Sequence, residues 1–312
     1  MAIAGCAETL TPINCAITGS HPIQKTSPAA APENFVRVPC DLCAAPAGEP
    51  FLEKFGGFYT RCGRCGFIYA NPRARDPGEW NEFNNDQKSA EYVSKHYSVG
   101  HQRGFASLLR QFEKYRRTGR ILEIGCSAGG FLFQARERGW KPTGIEPVGA
   151  VARFGKEKHG LDVRICLLEE AALEANSFDV VYTNAVLEHL PSPSAALRKV
   201  FEVLRPGGLV FADTVNYESY TQQFIGAEWK LIDPRAHLSL FSPATLRSFC
   251  EKSGLTVLKI TTNGVRFRPN KNGRLRGARR WLEEVRKLPF SLAARFTLRG
   301  DGITVWAQKP PA

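Results

Sequence analysis

The chain has 312 residues, 43% hydrophobic and 23% charged, enough for one sizeable α/β domain plus a small accessory module. No run of about 18 apolar residues occurs, which argues against a membrane-spanning helix, and Met1–Leu10 lacks the basic start and apolar core of a secretory signal. The cytoplasm is therefore the expected compartment. The net charge is +12, and it is concentrated: 266–299 holds eleven Lys or Arg against only Glu283 and Glu284. Such a segment favours an anionic partner, or else is a solvated helix that aids solubility.

In chain order, residues 1–34 are rich in Ala, Pro, Thr and Ser and read as a flexible tail. Residues 35–75 carry Cys40-x-x-Cys43 and Cys62-x-x-Cys65, while the other five cysteines are scattered. Each C-x-x-C turns two thiolates toward one ion, and two such knuckles complete a tetrahedron. The expectation is a structural zinc ion (Zn2+) held by Cys40, Cys43, Cys62 and Cys65, with Gly63 and Gly66 serving the second knuckle's turns. Four protein ligands leave no open position for catalysis. Residues 76–112 read as a helical linker or lid, with Trp80, Phe83, Tyr92, Tyr97 and Phe105 among polar residues.

From 113 onward strands and helices alternate, the signature of a parallel sheet covered on both faces. Strands are expected at 120–124, 141–146, 161–165, 178–183, 208–215, 255–260 and 302–308. Helices fit 129–138, 148–158, 193–204 and 243–253. Ser192 and Pro193 suit the start of the third helix, and Arg205-Pro206-Gly207-Gly208 its stop and a turn into the next strand. Two insertions interrupt the pattern: 216–242, placed to bind an acceptor, and the basic 264–300.

The central signal is Ile121-Leu122-Glu123-Ile124-Gly125-Cys126-Ser127-Ala128-Gly129-Gly130-Phe131, a buried strand running through a glycine turn into a helix. Such a turn lets a ligand approach backbone closely and offers N–H groups to it. Glu146 follows at the end of the second strand, where doubly wound folds set a carboxylate against ribose hydroxyls. A G-x-G-x-x-G fingerprint, expected of a dehydrogenase, is absent.

Together with Ser177-Phe178-Asp179-Val180-Val181, Val186-Leu187-Glu188-His189-Leu190 and Leu204-Arg205-Pro206-Gly207-Gly208-Leu209, these motifs resemble the class I S-adenosylmethionine-dependent methyltransferases over about 115–312. Ser127 stands where that family's first motif usually has its middle glycine. The resemblance implies a Rossmann-like seven-stranded α/β sheet with helices on both faces, and S-adenosyl-L-methionine as cofactor. It implies that Gly125 and Gly129 line the methionine portion, that Glu123 meets its amino group, and that Glu146 holds the ribose. Leu167 and Leu168 would face the adenine, and Asn184 would close the site beside the sulfonium. His237-Leu238-x-x-Phe241-Ser242-Pro243 resembles a subgroup acting on sugars, nucleotide sugars and surface-glycan precursors, often with a cysteine module ahead of the domain. No separate C-terminal domain of the carbon-methylating kind follows, so O-methylation is the expectation.

For an alcohol acceptor a general base helps. His237 and His189 are the candidates, with Asp233 orienting His237 or acting itself. Tyr217, Tyr220, Phe224 and Trp229 would wall the acceptor. Two alternatives stand beside this reading: an RNA methyltransferase using the zinc module and basic segment, and a non-catalytic nucleic-acid or membrane-surface binding protein. Aromatic interleaving in the basic segment is sparse, which argues against nucleic acid. Leu275, Ala278, Trp281, Leu282, Val285 and Leu288 recur at helical spacing there, which fits either peripheral membrane contact or packing on the domain.

Overall fold

The computed structural model describes residues 34–75, 93–267 and 278–312. The first stretch forms β1 (Phe35–Val36), β2 (Pro50–Lys54), β3 (Gly57–Arg61), β4 (Ile68–Ala70) and β5 (Arg73–Ala74). After α1 (Val99–Phe112) come β6 (Arg120–Ile124), α2 (Gly130–Glu137), β7 (Lys141–Ile145), α3 (Gly149–Arg153) and β8 (Asp162–Arg164). The chain continues through β9 (Phe178–Asn184), α4 (Pro193–Val203), β10 (Leu204–Val215), α5 (Tyr220–Ile225), β11 (Ser239–Leu240) and α6 (Pro243–Lys252). It ends with β12 (Thr256–Asn263), α7 (Ala278–Thr297) and β13 (Gly302–Gln308).

Seven strands make the central sheet in the order β12-β13-β10-β9-β6-β7-β8. Six run in one direction, while β13 is antiparallel to both of its neighbours. This is the Rossmann-like methyltransferase sheet that the motifs imply. The order reverses between β6 and β9, so a crevice opens beyond their carboxyl ends, where doubly wound folds bind ligands. β6 and β9 are buried along nearly their whole length, as central strands covered on both faces are.

Local chemistry explains the boundaries. The Ser192 hydroxyl accepts the Ala195 N–H, Pro193 sits in the first turn, and Ala196, Leu197, Val200 and Val203 bury one face of α4. Ser242 and Thr245 cap α6 reciprocally. Asp179 is an anchor: its Oδ2 accepts the N–H groups of Arg117, Thr118 and Gly119 at 2.7–2.8 Å, and Arg205 pairs with Oδ1. Burial alone would push this carboxyl up, but those donors hold it below its ordinary value.

Two details differ from the sequence expectation. The strand expected from 208 begins at Leu204, which pairs with Phe178, and residues 205–208 form an irregularity within β10. Gly208 is required there, since a Cβ would lie 2.9 Å from the Arg205 carbonyl oxygen. The helix expected over 148–158 is α3 followed by a wider turn at Phe154–Lys158.

The cysteine stretch is packed into the sheet domain rather than appended to it. Strand β11, from the 216–242 insertion, pairs with β4 and completes the four-stranded sheet β11-β4-β3-β2. Cys40, Leu42, Cys62, Phe67 and Tyr69 share one core with Leu197, Phe241 and Phe249. Of the linker aromatics, Trp80, Phe83 and Tyr92 fall outside the described residues, as does Leu275 of the apolar stripe.

Candidate active site

Strand β6 delivers its chain into the turn 125–129, which reverses direction through Gly125 (φ 73°), Ser127 (φ 48°) and Gly129 (φ 78°). At Gly125 the space is as decisive as the angle: a Cβ would meet Val186 Cγ2 at 2.3 Å. Ser127, where the related motif has glycine, takes the left-handed conformation that serine rarely adopts. Its N–H is donated to Glu146 Oε2 at 2.9 Å, and Val148 N–H goes to Oε1 at 2.9 Å. Glu146 therefore faces the turn, as the sequence reading requires. Tyr97 secures the other side, donating its hydroxyl to the Ala128 carbonyl at 2.9 Å.

Glu123 is buried on the same strand end, and its Oε2 has no hydrogen-bond partner. Burial, reinforced by the Glu146 charge, pushes its carboxyl well above the ordinary range. Burial also raises Glu146, against the pull of its two backbone donors. A buried acceptor left unpaired costs about 1–3 kcal/mol unless a ligand completes it. A ligand carrying an ammonium group and vicinal hydroxyls would satisfy Glu123 and Glu146 together, so the residues present fit S-adenosylmethionine.

The other expected cofactor contacts divide. Asn184 is exposed at the carboxyl end of β9, beside the turn. Leu167 is exposed after β8, whereas Leu168 turns inward and packs with Ala171 in the core.

Beyond β9 the chain enters a short 3-10 turn, Leu187–His189, that leans on the glycine turn through Val186. The structure brings His189 and His237 together, their ring centroids 4.8 Å apart. His189 Nδ1 lies 2.7 Å from the Ala236 carbonyl oxygen, and His237 Nδ1 lies 2.6 Å from that of Leu231. A carbonyl only accepts, so both rings carry their proton on Nδ1 and leave Nε2 with a free lone pair. Burial, then the His189 charge, pushes His237 down to about 4. Glu188 was missed by sequence reasoning, although it adjoins His189 in the quoted motif. It is buried, accepts the Thr214 hydroxyl at 2.6 Å, and is raised by burial while the His189 charge draws it down.

Asp233 is not available in the expected way. Arg235 donates to both of its oxygens, at 3.0 and 2.8 Å, and its backbone carbonyl accepts the His237 N–H at 2.8 Å. Burial would raise this carboxyl, but Arg235 holds it below its usual value. It is a turn residue with an ion-pair partner. Among the expected acceptor walls, Tyr217 and Trp229 are buried in a core with Tyr59 and Ile68, whereas Phe224 is exposed.

The cysteine sheet holds this histidine region in place. Tyr59 donates its hydroxyl to the His237 carbonyl at 2.7 Å, and Ala70 N–H pairs with Leu238 O at 2.8 Å. Lys54 reaches the carbonyls of Ala227 and Trp229, Arg73 that of Pro191, and Asp41 accepts from Ser192 and from the Ser194 N–H at the start of α4. The four thiols gather behind it. Cys40–Cys65 and Cys43–Cys62 are each 3.5 Å apart, with all four sulfurs within 4.8 Å. A tetrahedron of ~2.3 Å Zn–S bonds has edges of about 3.8 Å, so the cluster suits one ion. The knuckles match in backbone too: Ala44 N–H bonds Cys40 O and Gly66 N–H bonds Cys62 O, with Ala44 and Gly66 both at positive φ. Gly63, by contrast, is not at positive φ.

Comparison with known proteins agrees with this geometry. The profile of a family described as a methyltransferase domain matches residues 91–260. A ubiquinone biosynthesis O-methyltransferase of Aeromonas salmonicida is 34% identical over 166 residues, 49% of this chain and 68% of that protein. Its namesake in Nitrosococcus oceani is 33% identical over 162 residues, covering 48% and 68%. The solved structure of Haemonchus contortus phosphoethanolamine N-methyltransferase 2 with S-adenosyl-L-methionine shares the fold, with a TM-score of 0.55 at 16% identity, over 84% of this chain and 71% of that one. The chain thus belongs to the methyltransferase-domain family, as a class I enzyme that uses S-adenosylmethionine.

Proposed function

We propose that the enzyme transfers the methyl group to a hydroxyl oxygen, with His189 as general base. The observation that carries this is the histidine pair beside the glycine turn, each ring held at Nδ1 by a carbonyl. Methyl transfer from a sulfonium is an in-line displacement, so the protein's work is to align the acceptor, exclude water and take a proton. His189 is the more open of the two rings, its carbonyl contact exposed where that of His237 is part-buried, and so the one an acceptor can reach. His237 stays neutral and positions its neighbour. Glu146 holds the cofactor's ribose, Glu123 its ammonium, Gly125 and Gly129 border its methionine chain, and Leu167 and Asn184 flank it. The cofactor supplies a methyl carbon already attached to a good leaving group.

Transfer to oxygen agrees with the names of the relatives above. The acceptor we favour is a hydroxyl of a sugar, nucleotide sugar or surface-glycan precursor, from the motif His237–Pro243. The names of the relatives favour a second reading, a hydroxyl of a ubiquinone precursor. The cysteine cluster holds a structural zinc ion that keeps the β2–β4 sheet folded against the histidine region. The test offers both acceptor classes with S-adenosylmethionine and identifies the methylated product by mass spectrometry. His189→Ala should lower turnover by about 10²-fold or more with cofactor affinity kept. Normal turnover in that variant, with a loss in His237→Ala instead, would reverse the assignment.

A further inference from the structure

Helix α7 presents a surface that the methyl-transfer site does not use. Its inner side is tied to the domain: the Ala294 carbonyl, on a fully buried residue, accepts the Thr262 hydroxyl at 2.7 Å, and Asn216 donates to Leu298 O at the helix end. The opposite side carries Leu282, Val285, Leu288, Leu292 and Phe296, all exposed, with Phe296 at 88%. At 3.6 residues per turn these five positions fall within an arc of roughly 120°. Arg286 borders one edge of that arc and Arg295 the other, and both are exposed. Phe290, on the flank beyond Arg286, packs on Phe224 of the 216–242 insertion with ring centroids 5.1 Å apart, and Phe224 is itself exposed.

Water-facing leucines and a phenylalanine in one stripe cost free energy in a soluble monomer, and such stripes mark an interaction surface. The charge pattern selects the partner. In a two-fold dimer on this face, the same arginines of both copies would crowd one interface with like charge. A nucleic acid would need cations or stacking rings in the centre, where this helix has aliphatic side chains. An anionic bilayer complements both features, since the stripe enters the acyl boundary while the guanidinium groups stay among phosphates.

We propose that α7 lies flat on the surface of an anionic phospholipid membrane, apolar stripe inward, with Arg286 and Arg295 at the headgroups. No helix among the described residues is long and apolar enough to cross a membrane, so the contact is peripheral. The 216–242 insertion, which carries His237, would then lie alongside the bilayer, within reach of an acceptor that has a lipid tail.

Sedimentation of the full chain with vesicles tests this independently of turnover. Vesicles containing phosphatidylglycerol should retain the protein and phosphatidylcholine vesicles should retain much less, with retention falling as salt rises. Leu288→Ser combined with Phe296→Ser should weaken vesicle affinity at least tenfold, roughly the effect of losing two half-buried apolar side chains. Arg286→Gln and Arg295→Gln should each weaken it about fivefold. These positions are exposed, so unchanged thermal unfolding and cofactor affinity would show that the variants fold. Equal absence of wild type from both vesicle types would overturn the proposal, as would wild-type retention of the Leu288/Phe296 variant. A wild-type dimer that this double variant dissociates would mean a second copy covers the face instead. Retention by an RNA oligonucleotide without vesicle binding would likewise refute it.

Discussion

Tyr59→Phe tests whether the cysteine sheet positions the acceptor side. The side chain is fully buried, and its hydroxyl gives a 2.7 Å hydrogen bond to the carbonyl of His237. The substitution keeps the ring and deletes one donor, leaving a buried carbonyl without that partner. The cost should be about 1–3 kcal/mol, and each kcal/mol corresponds to roughly 2–4 °C in Tm for a domain of this size. The neighbouring link between the two regions is short, two residues of β11 on β4 plus the Ala70–Leu238 bond, so part of the loss should appear as displacement of His237. Because a misplacement near 1 Å can cost about 10²-fold in rate, turnover should fall at least tenfold. Calorimetric affinity for S-adenosylmethionine should not change, since the glycine turn and Glu146 lie on other elements. Turnover equal to wild type, or a loss of cofactor affinity matching the loss of rate, would refute the reasoning.

Metal and protons supply two further checks. Elemental analysis should find a single zinc ion per chain, and Cys62→Ser should remove it, lower Tm and reduce turnover while cofactor affinity persists; full turnover in a zinc-free variant would contradict this. His237 is pushed down to about 4 in the fold against ~6.5 unfolded. Between those values the unfolded chain binds more protons, so this group's contribution to stability is present above pH ~6.5 and is lost as pH falls toward 4. Denaturant curves for wild type and His237→Gln should differ in slope by about 1.4 kcal/mol per pH unit across that window, and parallel curves would contradict the burial of this ring.

Much of the fold was legible because its signals are local. Periodicity located all seven sheet strands, and the turn 125–129 with Glu146 emerged from residues adjacent in sequence. The cysteine pairs were legible for the same reason. What stayed hidden depends on how side chains pair and pack, within a turn as well as between distant segments. Asp233 looked like a base until its own neighbour Arg235 was found to occupy both oxygens. Leu168 is one residue from exposed Leu167, and only tertiary packing decides which of them turns inward. Glu188 was read as part of a motif, and its burial beneath Thr214 and His189 could not be seen from spacing. The union of β4 with β11 joins residues some 170 positions apart, beyond any periodic pattern.

Calorimetric titration of S-adenosylmethionine into the wild-type chain and into Glu146→Gln is the most direct measurement of the donor pocket. The wild type should bind at one site, and the variant should lose at least tenfold in affinity, because removing a charged acceptor from a ligand hydroxyl costs about 1.5–3 kcal/mol. Equal affinity in the two proteins would place the ribose elsewhere and contradict the account.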